Sequence, residues 1–241
     1  MPDPTPSAPA VHRLLVVVAH PDDPDFPAGG TIAALAGGGT HVTYVIVTDG
    51  SKGTGDRTLS GPRLAAMRVD EQWAAARALG VADVVFLGIP DGEVVPDLAL
   101  RHAITRQIRL HRPDVVITHD PATFYTDTYV NHPDHRAVGQ ATLEAIFPTA
   151  RDFLNAPHLL AEEGLDVHKV REAWLTLSLR PDHFVDIAAT IDRKIGALHE
   201  HRSQFTDPEG LAQRIRERAA LVGEANGMAL AEGFKRIVLP E

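Results

Sequence analysis

Two short segments carry the residues best suited to chemistry: His20-Pro21-Asp22-Asp23, followed by Pro24 and Asp25, and His132-Pro133-Asp134-His135. Each sets imidazole beside carboxylate in a stretch stiffened by proline, which fixes φ at about −65° and limits the entropy lost in holding ligands in place. Together they offer two or three histidines and several aspartates, enough for a mononuclear site with a coordination position left open for water. The chain has no cysteine, so any metal site must use His and carboxylate, and disulfides and thiolate nucleophiles are excluded. The competing reading is structural: Asp22, Asp23 and Asp25 could cap the following helix or close Asx turns, and Asp134 could be the N-cap of the next helix. What weighs against it is that both segments fall at the same kind of place in the fold.

That place follows from the order of elements. Residues 14–18 (LLVVV) form an aliphatic run of strand length, which suits a strand buried on both faces of a parallel sheet. Residues 29–36 read as a helix closed by Gly37, Gly38 and Gly39, and residues 41–48 (HVTYVIVT) as the next strand. Residues 63–79 are Ala-rich with helical spacing and stop at Gly80; 83–87 (DVVFL) is a third strand, 98–110 a helix, and 114–118 (DVVIT) a fourth strand. A long loop over 120–133 leads into a helix over about 134–146. Further on, 174–179 is a strand that 183–187 continues, and 191–205 and 211–222 are helices. This alternation predicts an α/β fold, a Rossmann-like three-layer sandwich with a mostly parallel sheet flanked by helices. In such a sheet ligands bind beyond the carboxyl ends of the strands, and both His-Pro-Asp segments lie in loops that follow strands.

Composition sets the outer bounds. The 241 residues carry 23 Lys+Arg against 32 Asp+Glu, a net charge of −9, which argues against a nucleic-acid partner. With 44% hydrophobic and 23% charged residues, the chain can bury a substantial core. Residues 1–10 are Pro-rich and polar and read as a loose tail without signal-peptide character, ahead of a single domain over 11–241. No apolar run approaches the roughly 20 residues of a membrane helix, so the expected location is cytoplasmic, with no membrane partner. The glycine-rich loop 49–56 lacks the GxxxxGK[ST] order of a phosphate loop and reads instead as a lip of the substrate pocket. Residues 148–169 show no clear periodicity and offer a wall for that pocket or a subunit contact; a homo-oligomer is left open.

At these motifs the sequence resembles the LmbE-like or PIG-L-type zinc-dependent N-acetylglucosaminyl de-N-acetylases. The resemblance rests on AHPDD at 19–23 and HPDH at 132–135, with TDG at 48–50, Arg68 and Glu71 ahead of ALGV at 78–81, GIPDG at 88–92, RPDVVIT at 112–118, VDI at 185–187, and Lys194 followed by His201, Ser203 and Gln204. It implies Zn2+ as cofactor with His20, Asp23 and His135 as ligands, Asp22 as general base toward zinc-bound water, and His132, as imidazolium, stabilising the oxyanion. Asp134 is then the candidate to orient His132. For substrate it implies an N-acetylglucosamine-type amino sugar or glycoconjugate, with Arg68 and Asp91 at positions that contact sugar hydroxyls or a substituent; Arg68 could otherwise be an exposed helix residue paired with Glu71 or Gln72. The expected reaction is removal of an N-acetyl or related N-acyl group by a metal-dependent hydrolase.

Two departures from the family pattern stand out. Pro24 takes the place of the acidic residue that usually follows AHPDD, with Asp25 one position later, and Val130 stands where some members have tyrosine, with Tyr125 and Tyr129 out of register. Two other classes share part of the signal: a non-haem Fe(II) oxygenase, which also uses two His and one carboxylate, and a non-catalytic sugar-binding relative.

Overall fold

In the computed structural model, which describes residues 10–240, seven strands form one sheet. The elements run β1 (Arg13–Val18), α1 (Asp25–Gly37), β2 (His41–Thr48), α2 (Gly61–Leu79), β3 (Asp83–Ile89), α3 (Leu98–His111), β4 (Val115–His119), α4 (Pro133–Glu144), α5 (Pro157–Glu163), β5 (Glu172–Thr176), β6 (His183–Asp186), α6 (Ile191–Glu200), α7 (Pro208–Glu224) and β7 (Ala231–Val238). The order across the sheet is β3-β2-β1-β4-β5-β7-β6, parallel from β3 to β5 and antiparallel at β7 and β6. The tail expected over 1–10 lies, apart from Ala10, outside the described residues.

The aliphatic run in β1 is continuous because both of its faces are covered. Leu14, Val16 and Val18 pack with Ile32 of α1, Leu79 of α2 and Ala197 of α6. Leu15 and Val17 point the other way, onto Leu100, Ile104 and Ile108 of α3 and Val138 and Ala141 of α4. Burying each such side chain contributes about 1.5–3 kcal/mol. Helix α2 ends where Gly80 adopts φ 81°, a left-handed cap suited to glycine.

The parallel βα order matches the expectation, and the C-terminal quarter differs from it. β6 does not continue β5; the chain turns after Thr176 through Leu177 at φ 53°, and β6 pairs with β7 instead. β7 itself had no clear strand signal, because AEGFKRIV mixes a glycine with three charges. Residues 148–169 form no wall of the cavity described below. They wrap the far end of α3, where buried Arg109 donates to the carbonyls of Thr149, Ala150, Asp152, Asn155 and Ala156.

Candidate metal centre

Because β1 and β4 are hydrogen-bonded neighbours at the centre of the sheet, the loops that leave their carboxyl ends meet. His20 lies two residues past the end of β1, and α4 begins with the second His-Pro-Asp segment. There His20 Nδ1 lies 3.2 Å from Asp23 Oδ2 and 3.3 Å from His135 Nε2, and His135 Nε2 lies 3.1 Å from Asp23 Oδ1. Metal-to-donor distances of 2.0–2.2 Å in a tetrahedron place ligand atoms roughly 3.3 Å apart, so this triangle fits a small divalent cation. Two ring nitrogens and a carboxylate this close together make a good ligand set for such an ion.

The tautomer of His20 supports the same fit. Its Nε2 faces Asp134 Oδ2 and Asp91 Oδ1, both at 3.2 Å. A proton on Nε2 satisfies both carboxylates and leaves the Nδ1 lone pair directed at the triangle. Burial alone would lower the pKa of His20, but the bonds to Asp134, Asp23 and Asp91 push it up to about 12. These carboxylates call for positive charge at this point. Burial would raise Asp23, yet His135 and His119 hold it well below the usual carboxylate range.

Asp22 adjoins this triangle. Its pKa rises to about 6, chiefly through burial, with the Arg68 guanidinium pulling the other way. Arg68 is itself buried, not exposed on its helix, and donates to Pro21 O at 2.6 Å, Gly50 O at 3.0 Å and Asp22 Oδ2 at 3.3 Å. Asp91 is buried too; its Oδ2 accepts the Lys52 N–H at 3.0 Å. Both residues, expected at the sugar, thus stand behind Asp22 and His20 and do not line the cavity.

Asp134 takes a different task from the one expected. Its Oδ2 accepts the Gly92 N–H at 2.7 Å and faces His20, while His132 Nδ1 is 4.0 Å away. It orients a residue of the triangle more than it orients His132. The N-cap of α4 is His132, whose Nδ1 accepts the Asp134 N–H at 3.2 Å. With Nδ1 occupied as an acceptor, the ring carries its proton on Nε2. Burial and nearby His20 lower its pKa. The helix-cap reading of the first segment also gives way: α1 has Pro24 at its N-cap with no side-chain bond, and Asp23 Oδ2 instead accepts the His20 N–H at 2.7 Å.

A cavity of about 530 Å³ opens beside the triangle, with Asp22, Asp23, His119 and His135 in its lining and Tyr129, Leu177, Phe205 and Arg218 among its walls. No residue of the glycine-rich loop 49–56 lines it; that loop packs instead on Arg68 and Gln204. His119, the last residue of β4, was not singled out from the sequence, although its place at the carboxyl end of a strand was a usable signal. Its ring stacks on His135 at 4.1 Å between centroids and 6° between planes, and its Nε2 accepts the Ala19 N–H at 3.0 Å. Burial, aided by His135, lowers its pKa to about 4.

Residues 15–146 match the PIG-L family, GlcNAc-PI de-N-acetylase. The chain is 34% identical over 227 residues to a diacetylchitobiose deacetylase of Thermococcus kodakarensis, covering 93% of this chain and 83% of the relative. It is 32% identical over 242 residues to a 1D-myo-inositol 2-acetamido-2-deoxy-alpha-D-glucopyranoside deacetylase of Acidothermus cellulolyticus, covering 81% and 80%. Among solved structures, the N,N'-diacetylchitobiose deacetylase from Pyrococcus horikoshii superposes with a TM-score of 0.86 at 33% identity, over 95% of this chain and 84% of that one.

Proposed function

The chain belongs to the PIG-L, GlcNAc-PI de-N-acetylase, family, and on that premise we propose that it is a Zn2+-dependent hydrolase that removes the N-acetyl group from an N-acetylglucosamine-type amino sugar or glycoconjugate. The observation that carries the proposal is the convergence of His20 Nδ1, Asp23 and His135 Nε2 beside Asp22 at one cavity. These three residues would hold the ion. When bound, it supplies a Lewis acid that polarises the amide carbonyl and acidifies a water molecule.

The remaining tasks fall to the chain itself. Asp22 is the base: Arg68 engages Oδ2, so Oδ1 is the oxygen that takes the proton of the attacking water and delivers it to the departing amine. As the carbon–nitrogen bond breaks, acetate and a free amine result. His132, with Nδ1 engaged by the Asp134 N–H, would donate a hydrogen bond from Nε2–H to the oxygen on which negative charge develops. Asp91 and Asp134 hold the His20 ring in the tautomer that leaves Nδ1 free. The deacetylase relatives support an amino-sugar substrate, and a 530 Å³ cavity is of the size that takes a small glycoside.

The test is a panel of N-acetylated amino sugars and glycosides assayed for free amine and acetate with Zn2+-loaded protein. Equimolar amine and acetate are expected from at least one member, with loss of activity on chelation. Oxygen consumption with Fe(II) and no amine release would favour an oxygenase instead.

A further inference from the structure

Asp22 has φ 89°, in the left-handed region that residues with a Cβ rarely occupy. Something must hold this backbone there, and α2 supplies it from two residues one turn apart. Arg68 grips the Pro21 carbonyl and the Asp22 carboxylate. Gln72 accepts the Asp22 N–H at its Oε1, 2.8 Å away.

The amide of Gln72 cannot turn over, because its Nε2 donates to Asp25 Oδ2 at 2.9 Å and a carboxylate only accepts. Asp25 is pinned in turn by the Tyr44 hydroxyl, which donates to Oδ1 at 3.0 Å, and by His201 Nε2, 2.8 Å from Oδ2. Gln72, Asp25, Tyr44 and His201 are all fully buried. Asp25 is the acidic residue displaced by one position behind Pro24, and here that displacement places it at the start of α1, facing Gln72. None of these four groups lines the cavity.

Resting on the hydrolase reading above, we propose that Gln72, clamped by Asp25, is a positioning residue for the reaction: it fixes the strained Asp22 backbone so that the Asp22 carboxylate stands at the cavity beside Asp23 and His135. Gln72 touches neither the triangle of ligands nor the cavity, so its effect passes through Asp22. Misplacing a reacting group by about 1 Å can cost about 10²-fold in rate.

The experiment compares wild type, Gln72→Met, Asp22→Ala and the double variant, each Zn2+-loaded, for kcat, KM and metal content on one N-acetylated amino sugar that wild type turns over. Gln72→Met keeps the length of the side chain and removes both hydrogen bonds. The expected result is a kcat lower by about 10- to 100-fold with metal content and KM within about twofold of wild type. In the Asp22→Ala background the same substitution should leave the residual kcat unchanged, because the group it positions is already gone. If Gln72→Met does not yield folded protein, Gln72→Asn withdraws the amide by one methylene and carries the same expectation. An unchanged kcat overturns the proposal, as does a loss that persists in full in the Asp22→Ala background or that tracks loss of metal. If metal-replete wild type releases acetate from no substrate of the panel, the hydrolase reading falls and takes this role with it. A failure confined to the variants strikes only Gln72.

Discussion

Gly139, one turn after His135 on the same face of α4, sets how closely that helix can approach the sheet. A methyl group added there would meet the His119 carbonyl oxygen at 2.5 Å and its carbonyl carbon at 3.1 Å. Relief to an ordinary contact of about 3.4 Å requires α4 and β4 to part by about 0.9 Å, and no rotamer change helps because the obstacle is backbone. Overpacking of this kind costs about 1–3 kcal/mol, against which alanine returns about 1 kcal/mol of helix propensity. Gly139→Ala should therefore lose up to about 2 kcal/mol, which for a domain of this size lowers Tm by up to about 8 °C. The displacement also exceeds the roughly 0.2 Å within which ligand positions must hold, so Zn2+ affinity should fall by at least about 10-fold. The assay is thermal unfolding with and without metal, together with Zn2+ competition against a chromophoric chelator. Gly196→Ala in α6, where an added methyl meets nothing within 4 Å, is the control and should be neutral or mildly stabilising. Wild-type Tm and Zn2+ affinity in Gly139→Ala would refute the reasoning that α4 positions His135 through this contact.

Removing the metal should lower stability through linkage: free Zn2+ at 100 times its Kd contributes about 2.7 kcal/mol, so chelation should lower Tm by roughly 5–11 °C. A Tm indifferent to Zn2+ and chelator would count against the site. Glu172 ties β5 to β7 through Arg236 Nε at 2.7 Å and accepts from Trp174 Nε1 at 2.8 Å. Arg236 chiefly holds its pKa below the ordinary value of 4.5 despite partial burial. A depressed carboxylate stabilises the fold above its unfolded pKa and loses that contribution as pH falls through the folded one. Wild type should therefore melt above Glu172→Gln at neutral pH, and the two melting curves should converge as pH falls below 4.5; a gap independent of pH would contradict this.

The parallel half of the fold was legible because its inner strands β1, β2 and β4 are buried on both faces, and unbroken runs such as LLVVV and DVVIT have few other uses. β7 was not, because an antiparallel strand near a sheet edge can carry Glu232, Lys235 and Arg236, and its partner β6 lies more than forty residues earlier. Of the candidate site residues, His20, Asp22, Asp23 and His135 converge as expected from loops that follow neighbouring strands. The division of labour among the others was hidden, since sequence adjacency placed Asp134 with His132 whereas the Gly92 and Val94 N–H groups turn it toward His20. Gln72 and Asp25 could not be paired from sequence at all: they stand 47 positions apart, and only the packing of α2 against the β1 loop joins them.

The most direct test of the mechanism is the turnover of Asp22→Ala at full Zn2+ occupancy, measured as acetate release from a substrate of the wild-type enzyme. Asp22 is not one of the three proposed ligands, so the variant should retain one ion per chain while kcat falls by about 10²- to 10⁴-fold, the span that general acid–base catalysis supplies. A metal-replete Asp22→Ala protein that releases acetate at the wild-type rate would show that the base lies elsewhere.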